Sequence, residues 1–208
     1  MIIGLTGTYC AGKNYIAGIL EKRGLPVLDV DKLGHLAIET EKQLILDRFG
    51  IDILSANGTI DRKRLSAKVF GKPAELAALE AIIHPAVNRE TNAWIKNQGK
   101  YCVINAALLH RSSAFSMIDV LIVVEASFFT RLLRARRRDR LSWAELLKRF
   151  RSQKKFPAQY FSKKADIIRV KNSGNFGTWF FSLFGVKIAE KLEEHVDKIL
   201  SSLGYIKA

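Results

Sequence analysis

Gly7-Thr8-Tyr9-Cys10-Ala11-Gly12-Lys13-Asn14 is the stretch that decides the fold of this 208-residue chain. It meets the pattern G-x-x-x-x-G-K at every fixed position and departs only at the last, where Asn14 stands in place of Ser or Thr. Glycine lets the backbone turn tightly with its N–H groups pointing inward, and a following helix adds its positive end. Both flanks fit. Ile2 to Thr6 is a short apolar run that reads as a buried strand. Tyr15 to Arg23 has helical spacing, with Ile16, Ile19 and Leu20 on one face and Gly24 closing it. Gly7 through Tyr15 is therefore expected to cradle nucleotide phosphates, with Lys13 reaching the β- and γ-phosphates. The Ser or Thr hydroxyl ordinarily ligates Mg²⁺. An amide oxygen is also a hard donor, so Asn14 is the candidate metal ligand, directly or through water.

Outward from this loop, strands and helices alternate. Pro26–Val30, Tyr101–Asn105, Val120–Val124 and Asp166–Val170 read as further buried strands. Such an order predicts right-handed crossovers and a parallel sheet covered by helices on both faces. Residues 32–99 read mainly as helix, broken at Gly50, Gly58, Gly71–Pro73 and Pro85. That is too long for one crossover and predicts an inserted helical subdomain. Residues 126–157 form an arginine-dominated segment, leaving 1–31, 100–125 and 158–208 as core. Ala189, Leu192, Val196, Ile199 and Leu203 recur every three or four positions, which predicts a helix packed on the sheet. The fold class is thus α/β, a P-loop NTPase-type parallel sheet with a helical substrate subdomain and a basic lid.

Asp29-Val30-Asp31 ends the second strand on the sheet edge where open α/β sheets bind ligands. Alternation along a strand sends Asp29 and Asp31 to one side. A carboxylate there can take the proton of an attacking hydroxyl, which makes Asp31 the expected base. Asp29 is expected either to cap the next helix or to polarise.

With 34 basic and 20 acidic residues, the formal charge of +14 points to a polyanionic partner without choosing one. Cys10 and Cys102 make no disulfide framework and fit a reducing compartment. Met1 leads straight into Ile-Ile-Gly-Leu-Thr, with no leader pattern, so a cytoplasmic protein is expected.

The ordered set of motifs resembles the dephospho-CoA kinase family, from Ile2 to about Gly174. The resemblance rests on I-G-L-T-G followed by A-G-K, on Val27-Leu-Asp-Val-Asp31-Lys-Leu-Gly, and on Gly58-Thr-Ile-Asp-Arg-Lys-Arg-Leu65. It rests further on Ile82-Ile-His84-Pro85-Ala-Val87, on Arg131 to Asp139 with Arg149 and Gln153, and on Asn172-Ser-Gly174. It implies transfer of the γ-phosphate of ATP, with Mg²⁺, to the ribose 3′-hydroxyl of dephospho-CoA. It implies that Asp31 is the catalytic acid and that Asp31, His84, Pro85, Leu108 and Arg111 serve the acceptor. Asn172 and Gly174 match the loop near the adenine. Three positions depart from the family pattern: Asn14, Asn105 where an Asp is common, and Arg111 where Pro-Leu-Leu-Phe-Glu has its acid.

Arg131, Arg134, Arg136, Arg137, Arg138 and Arg140 crowd ten positions, and a helix puts Arg131, Arg134 and Arg138 on one face with Leu132, Leu133 and Leu141 as anchors. Guanidinium groups suit phosphate, so Arg131 and Arg134 are expected on ATP and Arg138 on the transferring group. No aromatic interrupts this stretch, which favours a small phosphorylated ligand over single-stranded nucleic acid. A nucleoside or nucleotide kinase, and a nucleotide-binding homologue without turnover, stay open here. Trp179, Phe180, Phe181 and Phe184 read as core or subunit contact.

Overall fold

The computed structural model describes residues 1–139, 141–152, 166–172 and 182–205, the side chains of 152 and 182–189 excepted. Its centre is a five-stranded sheet in the order β2-β3-β1-β4-β5. These strands are β1 (Ile2–Gly7), β2 (Val27–Asp29), β3 (Cys102–Asn105), β4 (Val120–Glu125) and β5 (Asp166–Lys171). β1 pairs in parallel with β3 and β4, and β4 with β5. The continuous apolar runs of β1, β3 and β4 are buried along nearly their whole length, as a sheet covered on both faces requires. Helix α1 (Lys13–Lys22) buries Ile16, Ala17, Ile19 and Leu20, and joins Ile3, Leu5, Val103 and Ile122 in one core. The last helix, α8 (Ser182–Ser202), adds Leu192, Val196, Ile199 and Leu200 to that same core, so its period of three and four serves the sheet.

Two expectations need correction. The second strand ends at Asp29 rather than Val30, because the helix α2 (Val30–Thr40) starts at once. Asp29 is its N-cap, its carboxylate accepting from the Lys32 N–H at 3.1 Å. Asp31 lies in the first helical turn, so strand alternation does not relate the two acids. Pro85 breaks nothing either: it sits inside α5 (Pro73–Lys96), which runs through it. Its ring is exposed, and the flanking Ala86 and Val87 are buried. The lost backbone bond is borne where water can reach the freed carbonyl.

By compactness the chain divides into two units. One holds Met1–Leu28, Gln98–Arg111 and Phe115–Ala208, with the sheet, α1, α6 (Phe128–Asp139), α7 (Trp143–Ser152) and α8. The other holds Asp29–Asn97 and Ser112–Ala114, with α2, α3 (Lys42–Phe49), α4 (Arg62–Val69) and α5. The second unit has its own core of Ile45, Phe49, Ile53, Ile60, Leu65, Val69 and Leu79. Here the segment Gly58–Leu65 acts locally. Asp61 caps α4 by accepting from the Lys63 and Arg64 N–H groups, and Ile60 N–H donates to Glu39 at 3.1 Å. No helix among the described residues is long and apolar enough to cross a membrane.

Candidate active site

The loop from Gly7 to Gly12 bridges β1 and α1. Gly7 is required by close approach, since a Cβ there would stand 2.7 Å from the Val124 carbonyl of β4. Gly12 is required twice over: its φ is +96°, and a Cβ would meet the Asn172 amide nitrogen at 2.1 Å. It is the N-cap of α1 and offers no side-chain cap; the Tyr15 N–H turns back to the Gly12 carbonyl at 3.0 Å, and the Lys13 and Asn14 N–H groups at the helix start are the ones placed for a ligand. Lys13 and Asn14 open that helix. Thr8 closes a turn by accepting from the Ala11 N–H at 2.9 Å. Cys10 adopts a left-handed φ of 59°, and burial pushes its thiol pKa up, so it is a loop residue and not an activated nucleophile.

The Ala11 carbonyl is the anchor that ties this loop to the lid. It accepts from Arg134 Nη1 at 3.1 Å and from Asn172 Nδ2 at 2.9 Å. Asn172 is buried at the end of β5, its own N–H donating to the Glu125 carbonyl at 2.7 Å, and its Oδ1 accepts from Arg134 Nη2 at 3.3 Å. The side chain of Asn172 therefore buttresses the phosphate loop. Gly174, expected beside it, lies outside the described residues, as do Arg140 and the aromatic residues 179–181.

Helix α6 brings Arg131, Arg134 and Arg138 to the loop, each with different support. Arg131 lies over the Phe150 ring at 4.9 Å, and burial lowers its pKa and that of Arg134. Arg138 pairs with Asp139 at 2.7 Å and lies over the Tyr9 ring at 5.2 Å. Its hydrogen bond to Asp139 raises the guanidinium pKa. Leu132 and Leu141 anchor the lid against Ala135, Leu146 and Phe150, but Leu133 is exposed and anchors nothing.

Asn105, at the end of β3, is 2% exposed, and its Nδ2 donates to Asn14 Oδ1 at 3.4 Å. Its own Oδ1 is buried without a hydrogen-bond partner. An orphaned buried oxygen beside Asn14 fits a hard cation brought by a nucleotide, though both donors are neutral. Among the described residues no group of three or more His, Cys, Asp or Glu could hold a metal.

Beyond β3, Leu108 and Arg111 are exposed around a short turn, and His110 has its pKa lowered by burial and then by Arg111. In the second unit, Asp31 is exposed on α2, while α5 carries half-buried His84 and exposed Pro85. The sequence reading placed no site role on Asp139 or Arg149 and did not couple Tyr9 to the lid. The signal available was Asp139 following three arginines, an acid that a purely solvated basic face has no need of.

A family model described as Dephospho-CoA kinase matches residues 1–177. A dephospho-CoA kinase of Treponema denticola is 33% identical over 184 residues, covering 83% of this chain and 82% of the relative. One of Anaeromyxobacter dehalogenans is 36% identical over 180 residues, 83% of this chain and 84% of the relative. The crystal structure of TT1252 from Thermus thermophilus superposes with a TM-score of 0.76 at 29% identity, covering 98% of this chain and 97% of that one. A dephospho-CoA kinase from Campylobacter jejuni shares the fold with a TM-score of 0.64 at 22% identity, covering 95% of this chain and 96% of that one.

Proposed function

The chain belongs to the dephospho-CoA kinase family and is an ATP-dependent kinase acting at the last step of coenzyme A biosynthesis, and from that premise we propose how its own residues divide the work. The loop N–H groups and Lys13 hold the β- and γ-phosphates of ATP at the N-terminus of α1. Arg131 and Arg134 hold ATP, and Arg138 stabilises charge that spreads over the transferring phosphoryl group. Asp31 accepts the proton of the ribose 3′-hydroxyl as that oxygen attacks phosphorus and the bond to the departing ADP breaks. The second unit, with His84 and Pro85 on α5, takes up the acceptor, assisted by Leu108 and Arg111. Asn14, with Asn105 behind it, would hold Mg²⁺, which would supply screening of the phosphate charge. We place the reaction in the cytoplasm, consistent with two free cysteines.

The observation that carries this reading is the convergence on one loop of an uncapped helix N-terminus and three lid arginines, Arg134 touching the loop backbone itself. Phosphoryl transfer asks a protein for positioning and electrostatics, and those groups supply both. An ADP-release assay with dephospho-CoA set against a panel of nucleosides tests it. ADP release should depend on dephospho-CoA and be lost in Lys13→Ala. Turnover driven by a nucleoside instead would overturn the acceptor assignment.

A further inference from the structure

The phosphate loop and the lid share an apolar core. Tyr9 and Cys10 pack against Ala135, Leu146 and Phe150, and the Tyr9 ring meets Phe150 edge-on at 5.5 Å. Around that ring an acid and two arginines are gathered. The Tyr9 hydroxyl donates to Asp139 Oδ2. Asp139 binds Arg138 through Oδ1 at 2.7 Å and Oδ2 at 3.2 Å, and Arg149 of α7 through Oδ2 at 3.4 Å. Both guanidinium groups lie over the Tyr9 ring, at 5.2 and 5.9 Å from its centre. The phosphate loop thus carries a side chain that gathers two lid arginines and the one acid they share.

We propose that Asp139, tethered by the Tyr9 hydroxyl, is a built-in counter-ion for Arg138 and Arg149 that nucleotide phosphate displaces, with the Tyr9 ring as the positioning residue for both arginines. This rests on the kinase reading of the site. The exchange is favourable in sign, because a phosphate chain brings more negative charge and more acceptor oxygens than one carboxylate. The cation–π support of Tyr9 does not depend on Asp139 and survives the exchange. In the ligand-free protein the largely buried carboxylate offsets the repulsion between two guanidinium groups held close together over one ring. The arginines are therefore set in place before ATP arrives, and binding substitutes one anion for another.

Calorimetric titration of ATP and of inorganic tripolyphosphate, at rising NaCl, tests this on the intact chain. Asp139→Asn removes the competing anion, so both ligands should bind about two- to fivefold tighter at low salt, the scale of a partly exposed ion pair. The gain should shrink as salt screens it. Asp139→Glu should restore wild-type affinity, and Tyr9→Phe, which keeps the ring and loses the tether, should shift affinity the same way by less. A merely structural Asp139 predicts the opposite sign, because a loosened lid binds phosphate more weakly. Unchanged or weaker binding in Asp139→Asn overturns the counter-ion. Should that variant fail to fold, a weakened Tyr9→Phe overturns it equally. Wild-type protein that binds neither ligand would sink the kinase reading itself, a different failure.

Discussion

At the scale of single residues, the departure at Asn14 is half of a pair. Asn105 stands behind it, with its buried Oδ1 unpartnered and its Nδ2 on Asn14 Oδ1. Asn14 sits where the phosphate-loop pattern has a hydroxyl, and the group paired with it is a second neutral amide. Neutral oxygens attract a divalent cation far less than a carboxylate does. Asn105→Asp should therefore lower the Mg²⁺ concentration needed for half-maximal turnover by about tenfold, on the order of 1.4 kcal/mol. Asn14→Thr should shift it the same way by less, and the double variant further still. Titrating Mg²⁺ at fixed ATP reads this out, and curves that superpose for all four proteins would remove both amides from the metal. Asn14 was legible in the sequence as a broken pattern. Its coupling to Asn105 was not, because 91 positions separate them and only the β1–β3 pairing brings them together.

At the scale of elements, the final helix shows how a period becomes a contact. Leu192, Val196 and Ile199 bury one face of α8 on the sheet core, which the spacing in the sequence anticipated, and Leu200 joins them outside that pattern. The polar clamp beside it was not anticipated. Arg23, just past α1, forks onto Asp197 of α8 with Nε–Oδ1 at 2.8 Å and Nη2–Oδ2 at 2.9 Å, and reaches Glu193 at 3.3 Å. The Arg23 hydrogen bond holds the Asp197 pKa below its usual value. A depressed folded pKa contributes stability that is full above the unfolded value near ~4 and is lost as pH falls through the folded one. Both side chains are partly exposed, at 28% and 39%, so screening limits the effect. Asp197→Asn should cost about 0.5–1 kcal/mol at neutral pH, lowering the melting temperature by roughly 1–4 °C. At pH 3 the two proteins should melt closer together. An undiminished gap in acid would trace the loss to packing instead. Short elements were the least legible: β2 has three residues, and the Asp29 cap turns the chain helical before alternation can be read.

At the scale of the whole molecule, the residues assigned to donor and acceptor fall in different compact units. Lys13 and the lid arginines belong to the sheet unit, and Asp31, His84 and Pro85 to the helical one, each unit having its own apolar core. The helical insertion was legible as a run too long for one crossover. The acceptor role proposed for it rests on the His84–Pro85 resemblance alone, since a helix through Pro85 has no local signature of a ligand. If the two units serve two substrates, their ligands should protect different backbone. ATP should slow hydrogen exchange in the loop and α1, and dephospho-CoA in α2 and α5, because ordering by a ligand suppresses local opening where it binds. Asp31→Asn should separate binding from chemistry in the same experiment. Removing the proton acceptor leaves ATP protection and affinity nearly unchanged while cutting transfer by roughly 10²-fold or more. Loss of ATP protection in that variant would make Asp31 part of the nucleotide site, and an unchanged rate would make it a helix-end acid with no part in catalysis.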